Sequence, residues 1–207
     1  QETLPPWMCE KQRGHLPGSA CKGNESLSQV RRLLGPDYSI VRETRNAFEC
    51  VAIHTSAGEI LGCEQGALGE TDRFERQPAG CRDSVSIMAA TVRVKSRTFE
   101  LVSAHAENRS PACRLAAIRQ VFEPGGLVRE DRALIMGDFN QDPWREEDES
   151  IRYWNRQVGA EGSSGYDYHS GSAERQPPYP TIRYPFFART YDHVHSNGDR
   201  LDELEFE

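Results

Sequence analysis

A carboxylate and an amide follow a short apolar run in the second half of the chain. Residues 134–136 (LIM) lead into Gly137, and Asp138 and Asn140 then lie on either side of Phe139. Because side chains alternate along an extended chain, we predict that Asp138 and Asn140 point the same way while Phe139 enters the core. Such a pair can hold both a divalent cation and a phosphoryl oxygen. A plain polar turn after a buried strand would explain the same four residues without any activity.

A histidine and two further acids complete the set of candidate residues. His105 lies between two alanines at the end of an extended run, where small neighbours leave an imidazole accessible, although a hydrogen-bonded structural histidine fits equally well. Glu49 lies within an apolar run, and a buried carboxylate needs a partner such as a protonated histidine. Asp192, in the run 190–194 (TYDHV), could orient an imidazole or simply begin a strand.

The elements that must position these residues alternate between strands and helices. The patterns predict strands at residues 48–54, 85–95, 98–106 and 133–136, with a last strand beginning at 191–195. Residues 85–95 and 98–106 are predicted to form a hairpin across residues 96–97. Helices covering buried strands, with no linker between them, favour one layered α/β domain over residues 1–207.

Two helices have recognisable ends. The first is predicted to start at Asn24, to carry Leu27, Val30 and Leu34 on one face, and to end at residues 35–36 (GP). The second starts at residues 110–111 (SP), where the serine hydroxyl caps the helix and proline occupies its first turn. Its buried face is predicted to carry the four residues Leu115, Ile118, Val121 and Phe122.

Composition excludes several classes of function. The 207 residues contain 25 Lys and Arg against 32 Asp and Glu, which gives a net charge of −7, and 37% are hydrophobic. No run approaches the roughly 18 apolar residues that span a bilayer, so no membrane span is expected. An acidic chain is a poor passive binder of nucleic acid, because phosphate contacts need clustered Lys and Arg. Composition does not exclude an enzyme that contacts phosphate through a bound cation.

The cysteines favour an oxidising, extracellular compartment. They are six in number, and no pair has the CxxC spacing of a metal or redox site. The simplest of the fifteen possible pairings joins Cys9 with Cys21, Cys63 with Cys81 and Cys50 with Cys113. Free, buried thiols in a cytosolic protein are the alternative.

The order of these motifs resembles that of the endonuclease/exonuclease/phosphatase superfamily. Residues 1–2 (QE), 45–49 (RNAFE), the strand-end His105, residues 137–140 (GDFN) and 191–194 (YDHV) follow one another across nearly the whole chain. Residues 45–50 with the strand around His105 look most like the branch of pancreatic deoxyribonuclease and its secreted bacterial relatives. Sphingomyelinase-type members share the other motifs. The resemblance implies a four-layered α/β/β/α sandwich, here incomplete at both ends.

The resemblance also implies a cation and phosphate site. Glu2 is similar to a ligand of Mg²⁺, with Ca²⁺ or Mn²⁺ as alternatives, and Asp138 is similar to a second metal-site acid. Asp138 and Asn140 would lie near the attacking water and the phosphoryl oxygens. Arg82 resembles an arginine that contacts the phosphate of the substrate.

The remaining roles implied by the resemblance concern two catalytic histidines. His105 is similar to one of them, and Glu49 to the carboxylate that orients it in the deoxyribonuclease branch. Asp192 is similar to the aspartate that orients the second histidine, and His193 is then an ordinary strand residue. A strand carrying an asparagine is expected before Gln1, and the strand carrying the second histidine is expected after Glu207.

These inferences predict a secreted, Mg²⁺-dependent phosphodiester hydrolase, monomeric and most similar to a deoxyribonuclease-like endonuclease acting on DNA. Hydrolysis of sphingomyelin or another phosphate ester is the alternative within the superfamily. A secreted, non-catalytic module that keeps the fold is the alternative outside it.

Overall fold

The computed structural model describes residues 29–44, 49–81, 86–130, 132–140, 148–158, 166–169, 182–184, 187–189 and 192–197. Three helices lie in this part of the chain: α1 (Gln29–Leu34), α2 (Pro111–Phe122) and α3 (Glu149–Val158). The strands are β1 (Tyr38–Glu43), β2 (Cys50–His54), β3 (Glu59–Ile60), β4 (Leu68–Thr71), β5 (Ser86–Val94), β6 (Arg97–His105), β7 (Ala133–Asp138), β8 (Tyr166–His169), β9 (Ile182–Tyr184), β10 (Phe187–Arg189) and β11 (Asp192–Asn197).

The described strands form a large sheet, a small sheet and a separate hairpin. The large sheet has the order β3-β5-β6-β7-β11-β8, the small sheet has the order β2-β1-β4, and β9 pairs with β10. At the centre of the large sheet β6 runs antiparallel to β5 and parallel to β7, while β11 runs antiparallel to β7. The chain is therefore a mixed α/β protein, as the sequence predicted.

The two faces of β5 show how the sheets and helix α2 are arranged. Ile87 and Ala89 belong to a buried cluster that includes Ile118 and Val121 of α2. The intervening residue Met88 belongs instead to a cluster that includes residues of the small sheet. Alternation along one strand thus places α2 on one face of the large sheet and the small sheet on the other. A helical layer outside the small sheet remains a prediction.

Helix α2 has the start that the sequence predicted. Ser110 is its N-cap, and the Ser110 side chain accepts a hydrogen bond from the backbone N–H of Cys113 at 3.3 Å. The predicted face is confirmed by three buried residues, Leu115, Ile118 and Val121, with Phe122 partly buried against the same cluster. A serine hydroxyl satisfies a backbone N–H that has no partner within the helix, so this cap stabilises the first turn.

Helix α1 ends where expected and buries a charged residue. Gly35 adopts a φ of +83° after Leu34, as a helix-ending glycine does. Leu34 is 39% exposed and Arg31 is buried, while the predicted start at Asn24 and Leu27 lie outside the described residues. The Arg31 guanidinium donates to four backbone carbonyls, those of Gly35, Tyr38, Gly66 and Ala67. A planar group with five N–H donors can join the helix end, β1 and the loop before β4, which an apolar side chain cannot do.

Two further local predictions need correction. The β5–β6 hairpin turns at Lys95 and Ser96, one residue earlier than predicted, because Val94 pairs with Arg97 and Lys95 adopts a φ of +55°. Met136 of β7 is 37% exposed, although residues 133–136 were predicted to form a buried strand. In the described part of the chain the small sheet packs against β5 and β6, which leaves Met136 open to solvent.

The cysteine pairing also differs from the simplest prediction. Cys81 is bonded to Cys113, with Cα atoms 5.8 Å apart, while Cys50 and Cys63 are free thiols. The predicted Cys63–Cys81 and Cys50–Cys113 bridges are therefore wrong, and Cys9 and Cys21 lie outside the described residues. A disulfide requires a close approach of two Cα atoms, which is a property of the folded chain that spacing alone does not reveal.

Loss of the Cys81–Cys113 bridge is expected to lower stability substantially. The two cysteines are 32 residues apart, and a cross-link closing a loop of this length stabilises a fold by about 3–4 kcal/mol through the unfolded chain. Both Cys81→Ser and Cys113→Ser should lower the free energy of unfolding in denaturant by this amount. Cys63→Ser, at a free thiol, is the matched control. Equal stability of all three variants and the oxidised parent would contradict the assignment.

No helix among the residues described is long and apolar enough to cross a membrane.

Candidate active site

Three of the predicted site residues lie in one row across three neighbouring strands. His105 is the last residue of β6 and pairs in register with Asp138, the last residue of β7. Asp138 pairs in turn with Asp192, the first residue of β11. Parallel β6 and β7 end at the same edge of the sheet, and antiparallel β11 begins there. Three residues that are far apart in sequence therefore meet at one sheet edge.

Gly137 lets β6 and β7 approach closely just before this edge. It adopts a φ of +141°, and a Cβ atom at this position would lie 2.0 Å from the backbone oxygen of Ala104. Immediately beyond, the N–H of Ala106 donates to the carbonyl of Asp138 at 2.9 Å, so the two chains continue side by side. The glycine in the GDFN run is thus required by contact with β6.

Asp138 and Asn140 are held together by a tight turn. The backbone N–H of Asn140 donates to Asp138 Oδ1 at 2.7 Å, and Asn140 Nδ2 donates to the carbonyl of Ala106 at 2.8 Å. The burial of Phe139 is confirmed, since its side chain is fully buried. Asn140, however, has a φ of +51°, so the chain is no longer extended there. The turn, and not simple strand alternation, keeps Asp138 and Asn140 adjacent.

Behind His105 lies the buried carboxylate of Glu49. Glu49 Oε1 is 3.9 Å from His105 Nδ1, the Glu49 side chain is fully buried, and the His105 side chain is 17% exposed. This distance exceeds a hydrogen bond and places the carboxylate beside the Nδ1 edge of the imidazole. The pairing predicted between these two residues is thus observed as proximity across the two sheets.

Ser103 is a contact that the sequence analysis did not single out. Its hydroxyl donates to Glu49 Oε2 at 2.9 Å, and the serine is only 4% exposed. The available signal was position, because a residue two places before His105 in a strand shares its face. That face is covered by the small sheet, from which Glu49 comes.

The free thiol of Cys50 lies beside this site but is poorly suited to act as a nucleophile. Burial raises the pKa of Cys50 to about 11, and the neighbouring charge of Glu49 acts in the same direction. The reactive form of a cysteine is the thiolate, and at this pKa the thiol stays protonated at neutral pH. A hydrolase that uses a cysteine nucleophile at this position is not supported.

The side chains of several predicted residues lie outside the described part of the structure. Glu2, Arg82 and residues 45–48 lie outside the described residues, and Asp192 is described only by its backbone register. His193 pairs with Gly137 inside β11, which agrees with an ordinary strand position. The structure therefore brings together His105, Glu49, Asp138 and Asn140.

The described residues supply part of what a hard divalent cation needs. Within the described ranges there is no group of three or more His, Cys, Asp and Glu side chains that could hold a metal ion. Mg²⁺ is usually bound by only one or two carboxylates together with water and substrate oxygens. Two oxygen ligands of this kind are present. They are the carboxylate of Asp138, partly exposed at the sheet edge, and the amide oxygen of Asn140. They fit such an ion, and Glu2 is the predicted further carboxylate.

The fold is shared with known proteins, although their sequences differ greatly. Humanized TDP2 from D. rerio, carrying 14 mutations, has a TM-score of 0.58 and 11% identity over 96% of this chain and 69% of its own. D. rerio TDP2 complexed with single strand DNA product has a TM-score of 0.56 and 12% identity over 96% and 70%. An endonuclease/exonuclease/phosphatase from Bacteroides vulgatus has a TM-score of 0.52 and 16% identity over 82% and 67%.

This chain therefore has the fold of the endonuclease/exonuclease/phosphatase proteins, and the resemblance expected from the sequence is confirmed at the level of the fold. No protein-family model matches the sequence, and no curated protein matches it either. Likeness at such low identity shows the fold alone, so the activity must be argued from the site.

Proposed function

We propose that this protein is a divalent-metal-dependent phosphodiester hydrolase that acts on DNA as an endonuclease. The observation that carries the proposal is the register of β6 and β7, which places His105 beside Asp138 with the buried Glu49 behind the imidazole. An imidazole with one carboxylate behind it and a second acid beside it can supply acid–base catalysis and electrostatic stabilisation for phosphate-ester hydrolysis. D. rerio TDP2, which shares the fold, has been solved with a single strand DNA product.

The imidazole of His105 would act on the phosphate as a hydrogen-bond donor. Glu49 lies on the Nδ1 side of the ring, which leaves Nε2, on the opposite side, to donate to a phosphoryl oxygen. Charge on that oxygen increases as the nucleophile adds, so a donor placed there lowers the barrier. Glu49 contacts no substrate in this scheme and is a positioning residue.

Asp138 and Asn140 would hold the attacking water and the phosphate. Asp138 Oδ1 accepts the backbone N–H of Asn140, which fixes the plane of the carboxylate next to His105. Asn140 Nδ2 has two N–H groups, one of which donates to Ala106, and in the described part of the chain the second has no partner. That second N–H can donate to a phosphoryl oxygen. A bound divalent cation would add the neutralisation of phosphate charge.

Two further parts of the proposal concern the surroundings of the enzyme. Secretion is supported by the Cys81–Cys113 bridge, because disulfides persist in oxidising compartments. The net charge of −7 disfavours binding of the substrate through a broad basic surface. It favours contact with the phosphate through a bound cation and a few positioned side chains. Arg82 as a phosphate contact, Asp192 as a positioning acid and Glu2 as a metal ligand belong to the proposal as well.

Plasmid nicking by the full natural chain tests this function. We expect supercoiled DNA to be nicked in Mg²⁺, the activity to disappear in excess chelator, and added Mg²⁺ to restore it. Sphingomyelin vesicles and a small chromogenic phosphodiester, assayed in parallel, distinguish the substrate classes. Hydrolysis of only the lipid or only the small ester would replace the DNA assignment. A folded protein inactive on all three would favour a non-catalytic module.

A further inference from the structure

The Ser103 hydroxyl is a buried polar group on β6 whose contact the proposed mechanism leaves unexplained. Ser103 lies between Val102 and Ala104, both essentially fully buried, in the interior of the large sheet. Burial of a hydroxyl in such surroundings destabilises a fold unless the hydroxyl makes a hydrogen bond. Its bond is to Glu49 Oε2 at 2.9 Å, and the two residues are 54 positions apart in sequence. The contact therefore joins the large sheet directly to the carboxylate behind His105.

We infer that Ser103 is a positioning residue that acts on His105 through Glu49, an inference that rests on the proposed function for its kinetic part. A carboxylate can rotate about its last bond, and a hydrogen bond from a hydroxyl to a charged oxygen is strong enough to restrict that rotation. With Oε2 held by Ser103, Oε1 is the oxygen nearest His105, 3.9 Å from Nδ1. Ser103 thereby sets which nitrogen of the imidazole faces the carboxylate and which faces the substrate.

The spacing of Ser103 and His105 along β6 allows one carboxylate to face both side chains. Ser103 and His105 are two residues apart on one strand, so both side chains project from the same face of the sheet toward Glu49. The Glu49 carboxylate, which directly precedes β2, thus faces both side chains, with Oε2 2.9 Å from the Ser103 hydroxyl and Oε1 3.9 Å from His105 Nδ1.

Ser86, on the neighbouring strand β5, offers a matched control. It is a buried serine on β5 that pairs in register with His105, and its Oγ has no hydrogen-bond partner. Ser86→Ala removes a buried hydroxyl of the same size from the residue paired with His105, and this hydroxyl makes no hydrogen bond to Glu49. A difference between Ser103→Ala and Ser86→Ala therefore reports the bond to Glu49 and not the loss of a hydroxyl.

Steady-state kinetics of the full natural chain provide the first test. We expect Ser103→Ala to lower kcat about tenfold with little change in KM, as the loss of an outer partner of a catalytic imidazole does. Ser86→Ala should leave kcat within about twofold of the parent, the scatter usual for a neutral substitution. In a Glu49→Gln background Ser103→Ala should have no further effect, because two residues that act through one path are not additive. Equal, additive losses from Ser103→Ala in both backgrounds would overturn the inference.

Nitrogen-15 NMR of the His105 ring gives a second readout that needs no activity. In the free protein, Ser103→Ala and Glu49→Gln should both shift the Nδ1 signal of His105, whereas Ser86→Ala should not. Ser103→Cys, nearly the same size but a weaker donor, should give an intermediate change and serves if the alanine variant does not fold. Ring signals unchanged in Ser103→Ala would refute the positioning role. If no phosphate ester is hydrolysed, the proposed function fails while these signals still decide the inference.

Discussion

Replacement of His105 by alanine is expected to lower phosphodiester hydrolysis by about 10²–10⁴-fold, the range that a positioned acid or base contributes. His105 is the imidazole that the sheet edge brings beside Asp138, and its loss removes the donor to the phosphoryl oxygen without enlarging the buried core greatly. The measurement is kcat/KM on DNA and on a small phosphodiester in Mg²⁺. The loss should be similar on both substrates, because it concerns the reacting phosphate and not the remainder of the substrate.

His54 provides the control for this substitution. It ends β2, four residues from Cys50 at the start of that strand, and its Nδ1 interacts with the hydroxyl of Ser56 at 2.7 Å. We expect His54→Ala to retain the hydrolytic rate of the parent. An His105→Ala variant with parental activity would remove His105 from the site, and an equal loss in both variants would indicate a general effect on folding.

Replacement of Gly137 by alanine is expected to destabilise the fold by about 3 kcal/mol or more and to disrupt the site. Two effects combine: a φ of +141° is unfavourable for a residue with a side chain, and the added Cβ would lie 2.0 Å from the Ala104 oxygen. Backbone atoms on both sides must move apart to accept it. Because Ala104 and Gly137 each precede a site residue, the movement would separate His105 from Asp138.

Gly125→Ala separates the two effects. Gly125 also has a positive φ, +79°, but a Cβ there would meet no atom within 4 Å. This variant carries backbone strain alone and should cost about 1 kcal/mol, typical of the left-handed region. Denaturant unfolding of both variants measures the difference, which is the contribution of the contact between β6 and β7. Equal losses of unfolding free energy in the two variants would show that the backbone around Gly137 moves apart to accept a Cβ atom at little cost in stability.

Much of the large sheet and of helix α2 could be predicted because the signals are local. The hairpin of β5 and β6 follows from two strand-like runs separated by a short polar turn, and the cap at Ser110 follows from contacts within one turn. The turn in that hairpin was misplaced by one residue, since a positive φ at Lys95 cannot be anticipated from alternation. Interactions that span a few residues are encoded in a few residues, so a pattern suffices to detect them.

The residues of the site were predicted as types, and the tertiary structure decided how they meet. His105, Asp138 and Asn140 were visible because each lies beside a strand end, and Glu49 because a charge in an apolar run needs a partner. Their distances, the Ser103 bond and the left-handed turn at Asn140 were not visible. These depend on how the small sheet packs against the large one.

Arg31 and the cysteines show the same division between local pattern and tertiary contact. The sequence by itself determined that a helix ends at Gly35 and that the cysteines favour disulfides. Only the folded chain decided that Arg31 reaches four carbonyls and that Cys81 meets Cys113. The physical reason is that propensity, capping and alternation are set by neighbours along the chain. Contacts between distant segments are set by the packing of all the elements together.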